Sequence, residues 1–198
     1  REVARDGRRR ILVVGGDGSV HDVVNGIMDA GLDADDMVTL AVAPDGTGND
    51  WARSLGIGRD PHAVSAAIVA GNTLLHDVGV IDFPNARQPA RRWFINVAGA
   101  GYDAHVIARL PQRAPSALAY FKGALGGLAS YRSPLFHITS EGVTRDARLL
   151  LALVANGRYC GNRMHVAPTA RPDDGLLDLV LIDDVSLATV LLKIAKLY

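Results

Sequence analysis

Five residues, Gly15-Gly16-Asp17-Gly18-Ser19, stand between an all-apolar run, Ile11-Leu12-Val13-Val14, and a stretch with Val20, Val23, Val24 and Ile27 at helical spacing. A short apolar run that ends in glycine predicts a buried parallel strand. The periodic stretch predicts a helix opening at Ser19 or His21 and running to about Ala30. A glycine-rich link between such a strand and helix lets the backbone approach a neighbour closely and leaves amides free at the helix start. This confines the beginning of the chain to an α/β arrangement.

The pattern repeats. Met37 to Ala43 reads as a second strand and ends in Pro44-Asp45-Gly46-Thr47-Gly48-Asn49-Asp50. A short helix is expected over Asp50 to Leu55, with Asp50 as its cap. A longer helix, Pro61 to Ala70, carries proline in its first turn and is closed by Gly71. After Gly71 the pattern changes. Thr73 to Phe83 and Arg92 to Ala98 read as strands joined by Pro84 to Pro89. Helices are expected near Tyr102 to Leu110 and Ser116 to Tyr131, and strands near Leu135 to Thr139, Ala147 to Ala155 and Leu176 to Ile182. Strands joined by turns favour an antiparallel sheet. The boundary is placed near Asn72 to His76, giving domains 1–74 and 75–198. A last helix is expected from Ser186, with Leu187, Val190, Leu191 and Ile194 on one face, read as core packing before membrane contact.

Composition narrows the function classes. Lys+Arg and Asp+Glu number 21 each over 198 residues, so no net field draws the chain to nucleic acid. The single cysteine, Cys160, allows no internal disulfide and no cysteine metal site, which suits a reducing compartment. No apolar run reaches the roughly 18 residues of a membrane span. The first ten residues are a polar, basic lead-in, and Ile11 to Val14 is too short for the apolar part of a signal peptide.

The loops carry the chemistry. Free amides at the helix start after Gly15 to Ser19 form an anion site, for which phosphate is the natural guest. Asp17 would repel phosphate unless a cation lies between them. It therefore points to Mg²⁺ on a nucleotide or to the handling of an incoming hydroxyl. The alternative is a tight turn without a ligand. Two loops at the ends of adjacent parallel strands share the sheet edge where open α/β folds bind ligands. In the second loop Thr47 offers a hydroxyl and Asn49 an amide. No G-x-x-x-x-G-K-[ST] occurs, so backbone and hydroxyl groups would hold the phosphates, not a lysine. Gly99-Ala100-Gly101-Tyr102-Asp103-Ala104 fits G-x-G-x-x-A, but no acidic residue follows about 20 residues on at a strand end. It reads as a close-packed turn. Ala170 to Asp178 contains an Asp-Asp-Gly turn that on its own is a turn before a strand, although paired carboxylates with nearby carbonyls also bind hard cations.

Taken in order, GGDGS at Gly15 to Ser19, PDGTGND at Pro44 to Asp50, the aspartate of HDVG at Asp77, FINVAGAGYDA at Phe94 to Ala104 and PDDGLLD at Pro172 to Asp178 resemble the diacylglycerol kinase catalytic-domain family. The likeness is to its bacterial soluble lipid kinase branch, related to sphingosine kinase. Phosphofructokinases and NAD kinases share the first motif, but do not typically follow it with P-x-G-T-x-N-D. The resemblance implies an α/β plus β fold: an N-terminal three-layer nucleotide-binding domain, similar to NAD kinase and phosphofructokinase, and a C-terminal antiparallel β-sandwich that binds lipid, with the active site in the cleft between them. It implies ATP over Gly15, Gly16, Asp17, Gly18, Ser19, Val20 and His21, with Gly46, Thr47 and Asn49 beside the phosphates. It also implies a structural Mg²⁺ on the Asp174 side chain and the carbonyls of Arg171 and Leu176. Asp77 falls on a recurrent family aspartate near the cleft, or is an ordinary hydrogen-bonded strand residue. Ser19 stands where threonine is usual and keeps the hydroxyl. His21 stands where asparagine is common, and also reads as a partly exposed helix-start residue.

The implied activity is transfer of the γ-phosphoryl group of ATP to a lipid hydroxyl, diacylglycerol first, as a step of phospholipid biosynthesis. Asp17 is the catalytic residue, holding metal or orienting the hydroxyl, and Asp17→Asn is expected to abolish activity with the fold intact. The alternatives are a kinase for a sphingoid base or another non-glyceride alcohol, and a nucleotide- or lipid-binding module without chemistry. A cytoplasmic protein is expected, touching the membrane surface transiently by hydrophobic docking, with a homodimer compatible with this reading. The family also carries a strand–helix unit ahead of Arg1 and a D-G-E segment whose glutamate is the general base. No D-G-E occurs in the chain. Both ends read as cuts through a larger protein, with the base expected beyond Tyr198.

Overall fold

A computed structural model describes residues 6–32, 36–85, 90–107, 126–128, 131–186, 189 and 192. Leu187, Val190, Leu191 and Ile194 of the expected last helix lie outside the described residues, as do most of the helix expected over Ser116 to Tyr131 and the end of the one from Tyr102. At the expected helix start Ser186 Oγ accepts from Thr189 N–H at 3.2 Å. Contacts divide the chain into two units, Arg1–Val97 with Ala155–Leu177, and Ala98–Val154 with Asp178–Tyr198.

In the first unit, β1 (Arg10–Gly15) and β2 (Thr39–Pro44) pair in parallel, from Arg10 opposite Thr39 to Gly15 opposite Pro44. The ladder continues one step further, where Asp45 N–H donates to the Gly15 carbonyl at 3.0 Å. Helix α1 (Asp17–Met28) buries Val20 and Val24 against this pair. Val13 and Val42 face each other in register and join Trp51, Ala52 and Ile95 in the core. The expectation of a buried strand holds for Val13 and not for its neighbours: Leu12 is 53% and Val14 68% exposed. The described core covers one face only. Helix α1 also begins two residues earlier than Ser19, because Gly16 takes the N-cap position in extended conformation.

Helices α2 (Asp50–Ser54) and α3 (Pro61–Ala70) follow. In α3 the Asp60 side chain accepts from His62 N–H at 3.0 Å, proline opens the first turn and Gly71 closes the last. Strands β3 (Gly79–Phe83) and β4 (Ala90–Phe94) form an antiparallel pair. The strand expected from Thr73 begins only at Gly79, because the preceding backbone is engaged elsewhere. Asp77 N–H donates to the Pro172 carbonyl at 2.7 Å, and the Asp77 carbonyl accepts from Asn156 Nδ2 at 2.7 Å.

The second unit is built on a sheet in which β7 (Val143–Ala155) lies between β5 (Val97–Gly101) and β10 (Asp178–Asp183), with β6 (Leu135–Ser140) also pairing antiparallel with β7. Leu149, Leu150 and Leu153 of β7 are buried. After β5 comes α4 (Tyr102–Ile107). The Gly99-to-Ala104 segment is close-packed, as its sequence suggests. A Cβ on Gly101, where φ is +118°, would lie 2.6 Å from the Leu150 carbonyl oxygen. That glycine therefore serves strand packing. The short strands β8 (Tyr159–Cys160) and β9 (Met164–His165) form a hairpin of the first unit. This is the mixed α/β arrangement with an antiparallel C-terminal sheet that the motifs imply.

Candidate functional site

Parallel pairing of β1 with β2 sends the two glycine loops off the same edge, from Gly15 and Pro44 side by side. They touch backbone to backbone. A Cβ on Gly16 would fall 2.8 Å from Gly46 Cα, and one on Gly46 only 2.4 Å from Gly16 Cα. No side chain fits at either position, so these two glycines fix the spacing of the loops before any ligand is considered.

The polar residues of the loops divide into those that hold the architecture and those that face outward. Asn49, 6% exposed and in left-handed conformation, closes a ring with Gly46: Gly46 N–H donates to Asn49 Oδ1 at 2.8 Å, and Asn49 Nδ2 donates to the Gly46 carbonyl at 2.9 Å. Its side-chain amide is thus engaged within the loop. Asp17 accepts from the backbone N–H of Asp50 at 3.1 Å and of Trp51 at 3.0 Å. It caps α2 from 33 residues away, a task that Asn49, in the N-cap position, does not perform with its own side chain. Asp50, read from sequence as that cap, reaches elsewhere. Its carboxylate accepts from Asn162 N–H at 2.9 Å and Arg163 N–H at 2.8 Å, in the β8–β9 turn. Burial raises the Asp50 pKa above its ordinary value, the two amides oppose the rise, and the nearby Asp17 charge adds to it.

Outward-facing groups are Gly18, Ser19, His21 and Thr47, all exposed. Val20 is buried in the core, with its N–H donating to the Gly16 carbonyl, so it contributes packing. His21 lies in the second turn-forming stretch of α1 beside Asn25, whose Nδ2 donates to the His21 carbonyl at 2.9 Å. The N-cap of α1 makes no side-chain hydrogen bond. The N–H groups of Asp17, Gly18 and Ser19 have no acceptor among the described residues. Three such amides at the start of a 12-residue helix make a concentrated positive end.

The Asp-Asp-Gly loop belongs to the same unit. Asp174 Oδ1 accepts from Leu176 N–H at 3.0 Å and Arg171 Nε donates to Asp173 at 3.3 Å. Asp77 pins this loop, its Oδ2 accepting from Gly175 N–H at 2.7 Å. Asp77 is therefore a hydrogen-bonded residue of a connector, not of a strand. Among the described residues no group of three or more His, Cys, Asp or Glu side chains could hold a metal ion. A site of one carboxylate and two carbonyls is of a different kind, and its hard oxygens suit Mg²⁺.

His76, which the motif reading passed over, is part of the frame. Trp51 Nε1 donates to His76 Nε2 at 3.0 Å, so Nε2 must be unprotonated and Nδ1 carries the proton toward the Asp77 carbonyl at 2.6 Å. Burial lowers the His76 pKa below 6.5, while its Asp77 hydrogen bond opposes that shift. The adjacent His-Asp pair was the available signal. Its partner Trp51 is 25 residues away and invisible to spacing rules.

The fold and the paired loops define an α/β protein with unpartnered backbone amides at a parallel-strand edge, the chemistry of an anion site. Residues 1–81 match the family described as diacylglycerol kinase catalytic domain, and residues 96–198 match the YegS C-terminal NAD kinase beta sandwich-like domain. The chain belongs to this diacylglycerol kinase and YegS family. It is 30% identical over 182 residues to a diacylglycerol kinase of Bacillus subtilis, covering 90% of this chain and 56% of that protein. It is 29% identical over 188 residues to a "Probable lipid kinase YegS-like" of Shewanella frigidimarina, covering 93% and 58%. A solved structure of a diacylglycerol kinase from Bacillus anthracis superimposes with a TM-score of 0.66 at 26% identity, covering 98% of this chain and 61% of that one. The chain thus spans little more than half the length of these curated relatives.

Proposed function

We propose that this chain forms the ATP site and part of the lipid site of a kinase that transfers the γ-phosphoryl group of ATP to a lipid hydroxyl, with diacylglycerol as acceptor and phosphatidic acid as product. The observation that carries this reading is the open N-terminus of α1, with three unpartnered amides beside the exposed Thr47 and held there by the Gly16–Gly46 contact. Phosphoryl transfer depends on positioning and on neutralising charge more than on covalent chemistry, and this is what a rigid pair of loops supplies. The amides of Asp17, Gly18 and Ser19 and the hydroxyls of Ser19 and Thr47 bind phosphate oxygens. Asp17 keeps acceptor capacity beyond the two N–H groups it holds, and orients the incoming hydroxyl or a metal ion.

A Mg²⁺ ion on the nucleotide, when bound, screens the phosphate charge from Asp17. A second, structural one is assigned to Asp174 and the carbonyls of Arg171 and Leu176, a donor set that fits it. The domain division at 74/75, peripheral contact with the cytoplasmic face of a membrane and a homodimer belong to the same reading. Among the described residues no helix is long and apolar enough to cross a membrane.

The test is a label-transfer assay with the intact protein, γ-labelled ATP and diacylglycerol vesicles. Label is expected in phosphatidic acid, and Asp17→Asn should remove it. That variant also loses one carboxylate acceptor at the start of α2, so a stability loss of about 1–2 kcal/mol is expected beside the loss of turnover. Label on a sphingoid base or a soluble polyol in place of diacylglycerol would redirect the substrate assignment. Full turnover in the variant would refute the role of Asp17.

A further inference from the structure

Deepening the ATP reading, and resting on it, we infer that Arg59 is the cation that meets the nucleotide's phosphate chain. The two loops are short of positive charge. Residues 15–21 and 44–50 contain no lysine or arginine, but they contain Asp17, Asp45 and Asp50. Helix-end amides carry only partial charge, and the lysine of a Walker loop is absent. Arg59 sits outside every motif of the chain, in the loop between α2 and α3. Its Nη2 nevertheless donates to the carbonyl of Gly46, the residue that packs on Gly16 and precedes Thr47.

That bond leaves most of the guanidinium unused. The remaining N–H donors of Arg59 have no partner among the described residues, the side chain makes no ion pair there, and the residue is exposed. The Gly46 carbonyl already accepts from Asn49 Nδ2, so it does not need Arg59 to be satisfied. A fork of donors anchored at one corner, one peptide from the Thr47 hydroxyl, matches the paired oxygens of a phosphate. Arg59 therefore binds the phosphate chain directly, and its contribution is felt by a nucleotide and not by a nucleoside.

The experiment compares Arg59→Ala and Arg59→Lys with the wild type in the intact protein, measuring affinities for Mg-ATP and for adenosine by titration calorimetry, and thermal stability beside them. Loss of one charge-assisted contact should weaken ATP binding about tenfold or more. Adenosine affinity and stability should stay near wild type, and lysine should restore part of the loss. Wild-type ATP affinity in Arg59→Ala overturns the inference, as does an equal loss for ATP and adenosine, which would mark a role in loop structure. A wild-type protein that binds neither ligand overturns the ATP reading itself, and this assignment with it.

Discussion

The glycine-loop pair and the Asp-Asp-Gly loop are both rich in glycine and aspartate, yet their carboxylates are used in opposite ways. Asp17 and Asp50 reach across 33 and 112 residues to hold backbone amides of other segments. Asp173 and Asp174 bond within two residues, to Arg171 and Leu176. In the first region side chains define a frame and backbone amides are left for a ligand. In the second the carboxylates close a local turn, Asp174 on the Leu176 amide and Asp173 on the Arg171 side chain, and both stay exposed. Similar composition thus serves two kinds of loop, according to whether the carboxylates reach distant amides or close a local turn; the proposed phosphate site rests on the first and the proposed Mg²⁺ site on the second.

The largest effect is expected of Gly46→Ala, which would part the two glycine loops. The new methyl would lie 2.4 Å from Gly16 Cα and 2.8 Å from Asn49 Oδ1. Backbone meets backbone, so relief requires separation of the loops, and a loss of about 3 kcal/mol in denaturant unfolding is expected. A loss well below 1 kcal/mol would mean that the loops part freely.

A smaller effect comes from His76, which holds Trp51 in its neutral form. The folded-state pKa is lowered, so its contribution to stability is complete above 6.5 and is lost as pH falls through the lowered native value. Wild-type stability should therefore decline between about pH 7 and 5 more steeply than that of His76→Gln, as followed by unfolding midpoints across that range. Parallel pH profiles would contradict the lowered native pKa of His76.

The smallest effect is expected at Asp174. Its bond lies in an exposed local turn, so Asp174→Ala should change metal-free stability by under about 0.5 kcal/mol. Adding Mg²⁺ should stabilise the wild type and not the variant. Equal stabilisation of both would place the ion elsewhere.

These contrasts also show what the sequence makes legible. Strand–loop–helix units appear in it because apolar runs, glycines and helical spacing act over a few residues. For the same reason α3 is found to within its caps, Asp60 and Gly71. The partners of Asp17, Asp50 and His76 are not found, because each bond joins segments whose meeting depends on the completed fold. Asp50 illustrates the limit. An aspartate before a helix is a good cap by local rules, but the tertiary structure gives that work to Asp17 and aims Asp50 at the β8–β9 turn. Arg59 is invisible for a similar reason, standing in no motif and acquiring its place only when the α2–α3 loop folds back on Gly46.

The central claim is that the free helix start and the neighbouring loop grip a phosphate chain. It is tested most directly by following backbone amide resonances of the intact protein during titration with Mg-ATP. The account predicts the largest shifts at Asp17, Gly18, Ser19 and Thr47. Saturable binding that leaves those four amides unmoved, with shifts concentrated elsewhere, would contradict it.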